Sequence, residues 1–304
     1  MLNRDGQSRS TFWATVLPPT LWVAVFFLVP LGIVWLYSFG QNEGLTGISL
    51  TGTFANYVRA FDPLYLQIFA KSIFVAGLTT LLCLIIGFPV ALAIVFADEK
   101  SRTWLLMLVM LPFWTNLLIR TYALIAVLRT EGFANFTLEW LWNNASGVMT
   151  FAGLAPLGDF QPLQLLYNNF AVVVGLVYVH LPFMVLPLYA ALDRLDKSLM
   201  EASLDLGAGH LRTLFSIVVP LAMPGIVSGV IITFVPALGA YLTPDLLGGP
   251  DSQMIANVIE RQFKRANDWP FGAALSFLLM YATFIAIAMR SYLTRGKAVD
   301  AHGI

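Results

Sequence analysis

The sequence predicts an all-α membrane protein with six transmembrane helices, and three of its features point to that fold class. Of the 304 residues, 58% are apolar and only 11% are charged, whereas a soluble domain is about 45–50% apolar and about 25% charged. Six long apolar runs follow one another along the chain. The basic residues favour alternate loops between these runs, a distribution that is typical of membrane proteins.

Each apolar run is long enough to cross a bilayer, because a helix needs about 20 mostly apolar residues to span a hydrocarbon core about 30 Å thick. The first run is too long for a secretory signal and no small-residue cleavage site follows it, so we expect a retained helix. The fifth contains Pro220, Pro224 and Pro236, which neighbouring helices can accommodate. The predicted spans are Leu17–Phe39, Ile68–Ala97, Trp104–Leu128, Phe170–Leu192, Leu221–Leu242 and Phe271–Leu293.

Lysine and arginine predict the orientation of the spans. With the N-terminus inside, the cytoplasmic segments hold ten of the 17 basic residues. Residues 1–16 and 294–304 are then cytoplasmic tails, and residues 17–293 form the transmembrane domain. Residues 129–169 and 243–270, the second with an amphipathic piece at Ile255–Phe263, face outward as a lid or docking surface, or as plain connections.

Composition argues against several functions. The net charge is zero, so the chain has no basic footprint for nucleic acid. Cys83 is the only cysteine, which excludes an internal disulfide and a multi-cysteine metal site. The histidines lie far apart, and Gly296-Lys297 is followed by Ala298 and does not complete a phosphate-binding loop. We therefore predict no catalytic site, no metal site and no bound cofactor.

The cytoplasmic segment of residues 193–220 contains a short predicted helix. Ser198 and Glu201 have the spacing of a capping box, so the helix is expected from Leu199 to about Leu206. Gly207 can take the left-handed conformation that ends it. A second helix is expected from about His210, broken at Pro220. Leu199, Ala202 and Leu206 share one face with an acidic rim, which suits either docking in a partner's groove or an ordinary connection.

This segment resembles the signature loop of the membrane subunits of ABC-type importers. The matching residues are Glu201-Ala202-Ser203-Leu204-Asp205-Leu206-Gly207, followed by Ile217-Val218-Val219-Pro220. Ser203 and Val219 stand where many members have alanine and leucine, and both are small or apolar replacements. The resemblance implies a coupling helix that fits a cleft on a cytoplasmic ATPase subunit. The residues that it assigns to this contact are Ser198, Glu201, Ala202, Ser203, Asp205, Leu206, Gly207, Ala208 and Pro220.

Other runs resemble the spermidine/putrescine permease group, a branch that also includes carriers of other small nitrogenous solutes. These runs are Leu111-Pro112-Phe113-Trp114-Thr115-Asn116 with Arg120-Thr121-Tyr122, the stretch Tyr178–Tyr189, Pro244–Gly249 and Trp269–Ala274. The resemblance implies a permease in a bacterial inner membrane that works with a second, homologous permease subunit, two cytoplasmic ATPase subunits and an extracytoplasmic solute-binding protein. ATP would be used by the partner subunit.

Polar and aromatic residues in the spans are candidates for the solute path, because polar groups at membrane depth tend to face a cavity. A cationic amine can also bind to aromatic faces. The candidates are Trp114, Asn116, Tyr178, Tyr241 and Asp245. Some of these residues have a simpler alternative: Trp114 and Tyr241, like Tyr122, suit the membrane interface, and Asn116 suits bonding between helices. His180 suits helix packing, and Arg120 suits an ion pair better than contact with a cationic solute.

Two other functions compete with an importer. An ion-coupled secondary transporter often shows inverted repeats and midplane carboxylates, and neither is evident in the sequence. An intramembrane enzyme would need convergent catalytic residues at membrane depth, and none is found.

Overall fold

A computed structural model describes residues 4–43, 47–153, 155 and 157–300, and that part of the chain is mostly helical. A short antiparallel hairpin pairs Gln41–Glu43 with Gly47–Ser49. The α-helices, numbered in chain order, are α1 (Arg4–Val23), α2 (Val29–Tyr37), α3 (Ala55–Ala60), α4 (Pro63–Phe96), α5 (Glu99–Met110), α6 (Leu117–Leu128), α7 (Phe133–Phe151), α8 (Asn169–Leu192), α9 (Lys197–Asp205), α10 (His210–Thr213), α11 (Val219–Leu221), α12 (Met223–Leu238), α13 (Leu242–Leu247), α14 (Ile255–Lys264) and α15 (Trp269–Asp300).

Three helical segments in the described part of the chain are long and apolar enough to cross a membrane by themselves. They are Thr11–Tyr37, which runs from α1 through a π-helical turn into α2, together with α4 and α8. These correspond to the first, second and fourth predicted spans. Their existence is confirmed, and their ends lie within six residues of the predicted ones.

The third predicted span is not one continuous helix. The segment Glu99–Trp114 and the segment that starts at Leu117 meet at an angle of 97°. Between them, Leu111–Trp114 forms a 3-10 turn, and Thr115 and Asn116 adopt extended conformations. The predicted span from Trp104 to Leu128 therefore has the form of a bent pair, because two successive extended residues interrupt the helical hydrogen bonds. That the pair crosses the membrane as one span stays a prediction.

The fifth predicted span is also bent, by 68°. The break lies at Ala222, two residues beyond the predicted break at Pro220. Pro220 lacks the N–H that would bond four residues back, and the helix adapts through a π-helical turn at Leu214–Val218 before it reaches α11. Pro224 then lies in the first turn of α12, where a missing N–H is tolerated.

The remaining segments differ from their predictions in detail. The sixth predicted span lies within α15, whose described apolar part covers Trp269–Ile285, and the predicted C-terminal tail leaves the described residues at Ala301. The outward segment 129–169 contains α7, and the amphipathic piece at Ile255–Phe263 is the helix α14. A total of six spans stays a prediction, because the described residues give three single helices and two bent pairs.

The chain divides into two compact units, of which the first contains the residues up to Leu66 and those from Val258 onward. Within it, Trp35 on α2 donates its indole N–H to the Tyr281 hydroxyl on α15 at 2.9 Å. Arg59 on α3 pairs with Asp268 at 2.7 Å, just before α15 begins. These contacts join α2 to α15, and α3 to the residue just before α15.

The second unit covers residues 67–257 and has its core where α4, α8 and α12 pack together. Cys83 and Ala91 of α4 meet Met184, Val185 and Leu188 of α8 in this core. Helices α8 and α12 approach so closely at Gly225 that a Cβ atom there would lie 2.8 Å from the Pro187 carbonyl oxygen. Small residues commonly allow such close backbone approach between membrane helices.

Candidate coupling helix and solute path

The N-terminus of α9 is capped by Asp196, whose Oδ1 accepts the backbone N–H of Ser198 at 2.9 Å. The predicted capping box of Ser198 and Glu201 is therefore wrong, and the helix begins at Lys197 instead of Leu199. Aspartate is as strong an N-cap as serine. Because Asp196 is the N-cap, Ser198 lies inside the first turn of the helix. The same hydrogen bond lowers the pKa of the Asp196 carboxyl below its ordinary value of 3.8.

The C-terminus of α9 is formed by the glycine that the sequence indicated. Gly207 has a φ of +82°, in the left-handed region. Its N–H donates to the Leu204 carbonyl at 2.9 Å, and the Ala208 N–H donates to the Ser203 carbonyl at 3.1 Å. This pair of bonds is a Schellman motif, which satisfies carbonyl groups at the end of the helix. The predicted termination is confirmed, one residue earlier than expected, because α9 ends at Asp205.

One face of α9 packs on the protein and the opposite face is open. The Ser203 and Thr213 hydroxyls lie 2.9 Å apart and tie α9 to α10, while Met200 packs against the core of the second unit. On the open face, Leu199 is 46% exposed and Leu206 is 88% exposed, and Ala202 between them is also exposed. The predicted apolar face is thus present on the surface.

The helix break at residues 115–116 carries two of the solute-path candidates. Trp114 ends the 3-10 turn with 79% of its surface exposed. Asn116 is the N-cap of α6, and its Oδ1 accepts the Leu118 N–H at 2.8 Å. The Asn116 side chain therefore bonds within its own helix, where the alternative had expected a bond between helices. An asparagine before an apolar run was the sequence signal for this break.

Tyr178 lines an apolar groove between α4 and α8, with a volume of about 620 Å³. None of the other four candidates lines it. Tyr241 precedes α13, and its carbonyl accepts the Asn257 side-chain N–H at 2.8 Å. Asp245 is exposed in α13.

The helices that carry these candidates nevertheless converge at one point. A Cβ atom at Gly175 of α8 would lie 2.7 Å from Thr243 of α13 and 3.8 Å from Leu124 of α6. The absence of a side chain at Gly175 therefore allows α6, α8 and α13 to meet.

His180 and Arg120 lie within electrostatic range of each other. His180 is buried, and its Nδ1 lies 2.8 Å from the Leu176 carbonyl oxygen, which agrees with a packing role. The Nε of Arg120 is buried without a hydrogen-bond partner, and among the described residues no carboxylate pairs with this side chain. The ion pair expected for Arg120 is thus absent from the described part of the chain.

A family model described as "binding-protein-dependent transport system inner membrane component" matches residues 83–297. The chain belongs to this family. The match includes the region of α9 and both bent helix pairs. The predicted identification as an ABC importer permease is therefore confirmed.

Relatives of this permease support the same assignment. The chain is 40% identical over 258 residues to the spermidine/putrescine transport system permease protein PotB of Escherichia coli K12, covering 85% of this chain and 88% of the relative. It is 38% identical over 255 residues to the PotB protein of Haemophilus influenzae, covering 84% of each. It is 31% identical over 286 residues to the inner membrane ABC transporter permease protein YdcU of E. coli, covering 90% of this chain and 88% of the relative.

Solved structures share the fold of this permease. The structure of a bacterial ABC transporter that imports the acidic polysaccharide alginate matches with a TM-score of 0.70 at 16% identity, over 96% of this chain and 97% of that chain. These findings assign the permease to inner-membrane transport components and not to enzymes. They support the importer interpretation and give no support to an ion-coupled transporter.

Proposed function

We propose that this permease forms half of the translocation path of an ATP-driven, binding-protein-dependent importer for a polyamine such as spermidine or putrescine. The observation that carries the proposal is the 38–40% identity to spermidine/putrescine permeases over about 85% of the chain. The more distant relatives include a permease named for sulfate, at 26% identity. We therefore take the substrate class from the relatives at 38–40% identity and not from the one at 26%.

The complete importer contains a second, homologous permease subunit, two cytoplasmic ATPase subunits and an extracytoplasmic binding protein. A structural neighbour has been crystallised with its periplasmic protein bound, which supports the last of these partners. The permease spans a bacterial inner membrane with residues 17–293 and keeps residues 1–16 and 294–304 in the cytoplasm. It binds no cofactor itself, and ATP is hydrolysed by the partner.

The solute path includes Trp114, Asn116, Tyr178, Tyr241 and Asp245. A broken helix near the middle of a membrane exposes backbone carbonyl groups, which can coordinate a cation. Trp114 is exposed next to the break at residues 115–116, and an aromatic face attracts ammonium groups. Asp245 supplies a carboxylate on α13, which packs against α6. A polyamine is the kind of solute that this combination suits.

The ATPase contact is made by α9 and its C-terminal turn, through Ser198, Glu201, Ala202, Ser203, Asp205, Leu206, Gly207 and Ala208, with Pro220 shaping the helix that follows. The exposed positions of Leu199, Ala202 and Leu206 support this role. An apolar helix face of this kind fits a groove on a partner.

Uptake by the reconstituted importer tests the substrate. Proteoliposomes that contain both permeases and the ATPase, supplied with the binding protein, should accumulate labelled putrescine or spermidine when ATP is enclosed with the ATPase. Labelled sulfate is the matched negative solute, and an ionophore tests for ion coupling. Uptake of sulfate in preference to polyamine would overturn the substrate class, and uptake that stops with the ionophore but proceeds without ATP would overturn the importer.

A further inference from the structure

Arg102 forms a cluster with two residues at the cytoplasmic end of α8. Its Nε lies 2.8 Å from the Tyr189 hydroxyl, and its Nη2 donates to the same oxygen. Nη2 also forms an ion pair with Oδ1 of Asp193. The guanidinium carbon lies 5.0 Å from the centre of the Tyr189 ring. One side chain of α5 therefore holds the last turn of α8 through hydrogen bonds, charge and a cation–π contact.

This cluster lies at the root of the coupling helix. Asp193 is the C-cap of α8, and the N-cap of α9 follows only three residues later, at Asp196. The connection is tight, because the Leu195 N–H donates to the Leu192 carbonyl at 3.2 Å. Besides the contacts of Ser203 with Thr213 and of Met200 with the core, this connection is a direct covalent route from α9 to the membrane helices, and it includes a residue that Arg102 contacts.

The other end of α5 lies at the helix break. Thr115 lies thirteen positions after Arg102, beyond α5 and the 3-10 turn, which corresponds to about 20 Å at about 1.5 Å per residue. No residue of α5 is fully buried, although Leu106 and Val109 pack against the core of the second unit. At the far end, the ring of Phe113 packs edge-on against Phe183 of α8, with 4.9 Å between the ring centres. Helix α5 and the 3-10 turn that follows it therefore contact α8 at both ends, through Arg102 and through Phe113.

We propose that Arg102 is a positioning residue that joins the coupling helix to α5, so that movement of α9 on the ATPase is transmitted to the break at residues 115–116. This proposal rests on the proposed function, because it needs an ATPase that moves α9. The proposal gives the side chain of Arg102 no contact with the solute or with ATP. Its role is to keep α5 and the α8–α9 connection moving as one body.

The cluster makes a specific demand on the chemistry of residue 102. The planar guanidinium contacts the Tyr189 hydroxyl and the Asp193 carboxylate at once, which a lysine ammonium cannot reproduce with the same geometry. Replacement by glutamine removes the charge as well. If Arg102 only stabilised the fold, its replacement would lower the stability or the assembly of the importer. If Arg102 transmits movement, its replacement lowers the stimulation of ATP hydrolysis by solute while the importer still assembles.

The test uses the complete reconstituted importer with Arg102→Gln and Arg102→Lys. For Arg102→Gln we expect normal copurification of the ATPase and normal basal ATP hydrolysis, with solute-stimulated hydrolysis and uptake lowered by about tenfold. Arg102→Lys should fall between this variant and the parent. Lys100→Gln, which removes an exposed positive charge from the same turn of α5, is the matched control and should leave stimulation unchanged.

Two further variants keep the proposal falsifiable if Arg102→Gln does not assemble. Tyr189→Phe removes only the hydroxyl that Arg102 binds and should lower stimulation without loss of the complex. The exchange of charges in the double variant Arg102→Asp with Asp193→Arg should restore part of the stimulation that Arg102→Asp loses. Normal stimulation in both Arg102→Gln and Tyr189→Phe would overturn the proposal, as would a loss of stimulation that merely follows a loss of assembly. Failure of the parent importer to take up polyamine would instead overturn the proposed function.

Discussion

Two residues define the ends of α9, the proposed coupling helix: Asp196 through its side chain and Gly207 through its backbone conformation. Asp196 accepts an N–H group that the first turn of α9 leaves without a partner. Gly207 turns the chain into the left-handed region, where the backbone can complete the last hydrogen bonds. The direction in which Leu199 and Leu206 point thus depends on two positions that lie outside the helix itself.

Because Asp196 and not Ser198 caps α9, replacing the two residues by alanine should affect the first turn of the helix differently. Asp196→Ala should increase hydrogen exchange of the amides in the first turn of α9, because one backbone donor loses its acceptor. Ser198→Ala should change exchange little, since Ser198 is not the cap. A larger effect for Ser198→Ala would contradict the structure and restore the capping box.

The same cap predicts a dependence on pH. Because the pKa of Asp196 in the folded protein lies below 3.8, the carboxylate stabilises the first turn of α9 above that pH, and this stabilisation is lost as the pH falls through the lowered pKa. Asp196→Asn keeps an acceptor and should show no such loss.

Gly207 predicts a conformational effect without a steric clash. Nothing lies within 4 Å of a Cβ built at this position, but its φ of +82° costs other residues about 1–2 kcal/mol. Gly207→Val should therefore change the direction of the turn and lower solute-stimulated ATP hydrolysis in the assembled importer. Gly207→Asn is the control, because asparagine adopts left-handed conformations more readily. Equal stimulation in both variants and the parent would show that the turn has no part in coupling.

At the scale of the helices, the sequence predicted where apolar segments lie better than where they bend. Length and hydropathy identify α4 and α8 because each is one uninterrupted helix. The 97° bend after Trp114 arises from two extended residues and the Asn116 cap, a local signal that the surrounding apolar residues obscure.

The cap of α9 was also not predictable from spacing, because Ser198 and Asp196 are caps of similar strength. The cluster of Arg102 with Tyr189 and Asp193 joins residues about 90 positions apart, which no local pattern reveals.

Close packing of α8 and α12 predicts that Gly225 cannot be enlarged. A Cβ at Gly225 would meet the Pro187 carbonyl oxygen at 2.8 Å, and a backbone atom cannot move aside as a side chain can. Gly225→Ala should destabilise the protein by about 1–3 kcal/mol, the usual range for overpacking. Gly77→Ala on α4, where nothing lies within 4 Å, should be neutral or slightly stabilising. The melting temperature of the purified complex in detergent measures both, and an unchanged value for Gly225→Ala would contradict the helix contact.

At the scale of the whole molecule, the permease combines a proposed outer solute path with a proposed cytoplasmic coupling helix. The resemblance of the signature loop was sufficient to predict the family, which the comparison confirms over residues 83–297. The individual solute contacts have no comparable signal in the sequence. Polar residues in spans also serve as caps and packing residues, as Asn116 and His180 do.

Asp245 predicts a modest effect on the apparent affinity for a cationic solute. Its side chain is exposed, so the interaction with an ammonium group is worth about 0.2–1 kcal/mol. Asp245→Asn should therefore raise the half-saturating polyamine concentration by up to about fivefold without lowering the amount of assembled importer. Asp251→Asn removes another exposed carboxylate from the segment after α13 and is the control. If both variants match the parent in uptake, Asp245 does not belong to the solute path.

A bulky replacement of Ala202 should prevent docking on the ATPase and leave insertion in the membrane intact. The residue lies on the open face of α9 between Leu199 and Leu206, so a helix that enters a partner's groove requires a small side chain there. Ala202→Trp should abolish copurification of the ATPase while the permease remains in the membrane, because none of the predicted spans is changed. Leu206→Ala should weaken the contact by about 1.5–3 kcal/mol if Leu206 is fully buried in the complex. Ser101→Trp, at an exposed site on α5, tests whether a new tryptophan on this side of the protein is harmful by itself. If Ala202→Trp retains the ATPase and its stimulation by solute, α9 is a connection between helices and the mechanical contact must lie elsewhere.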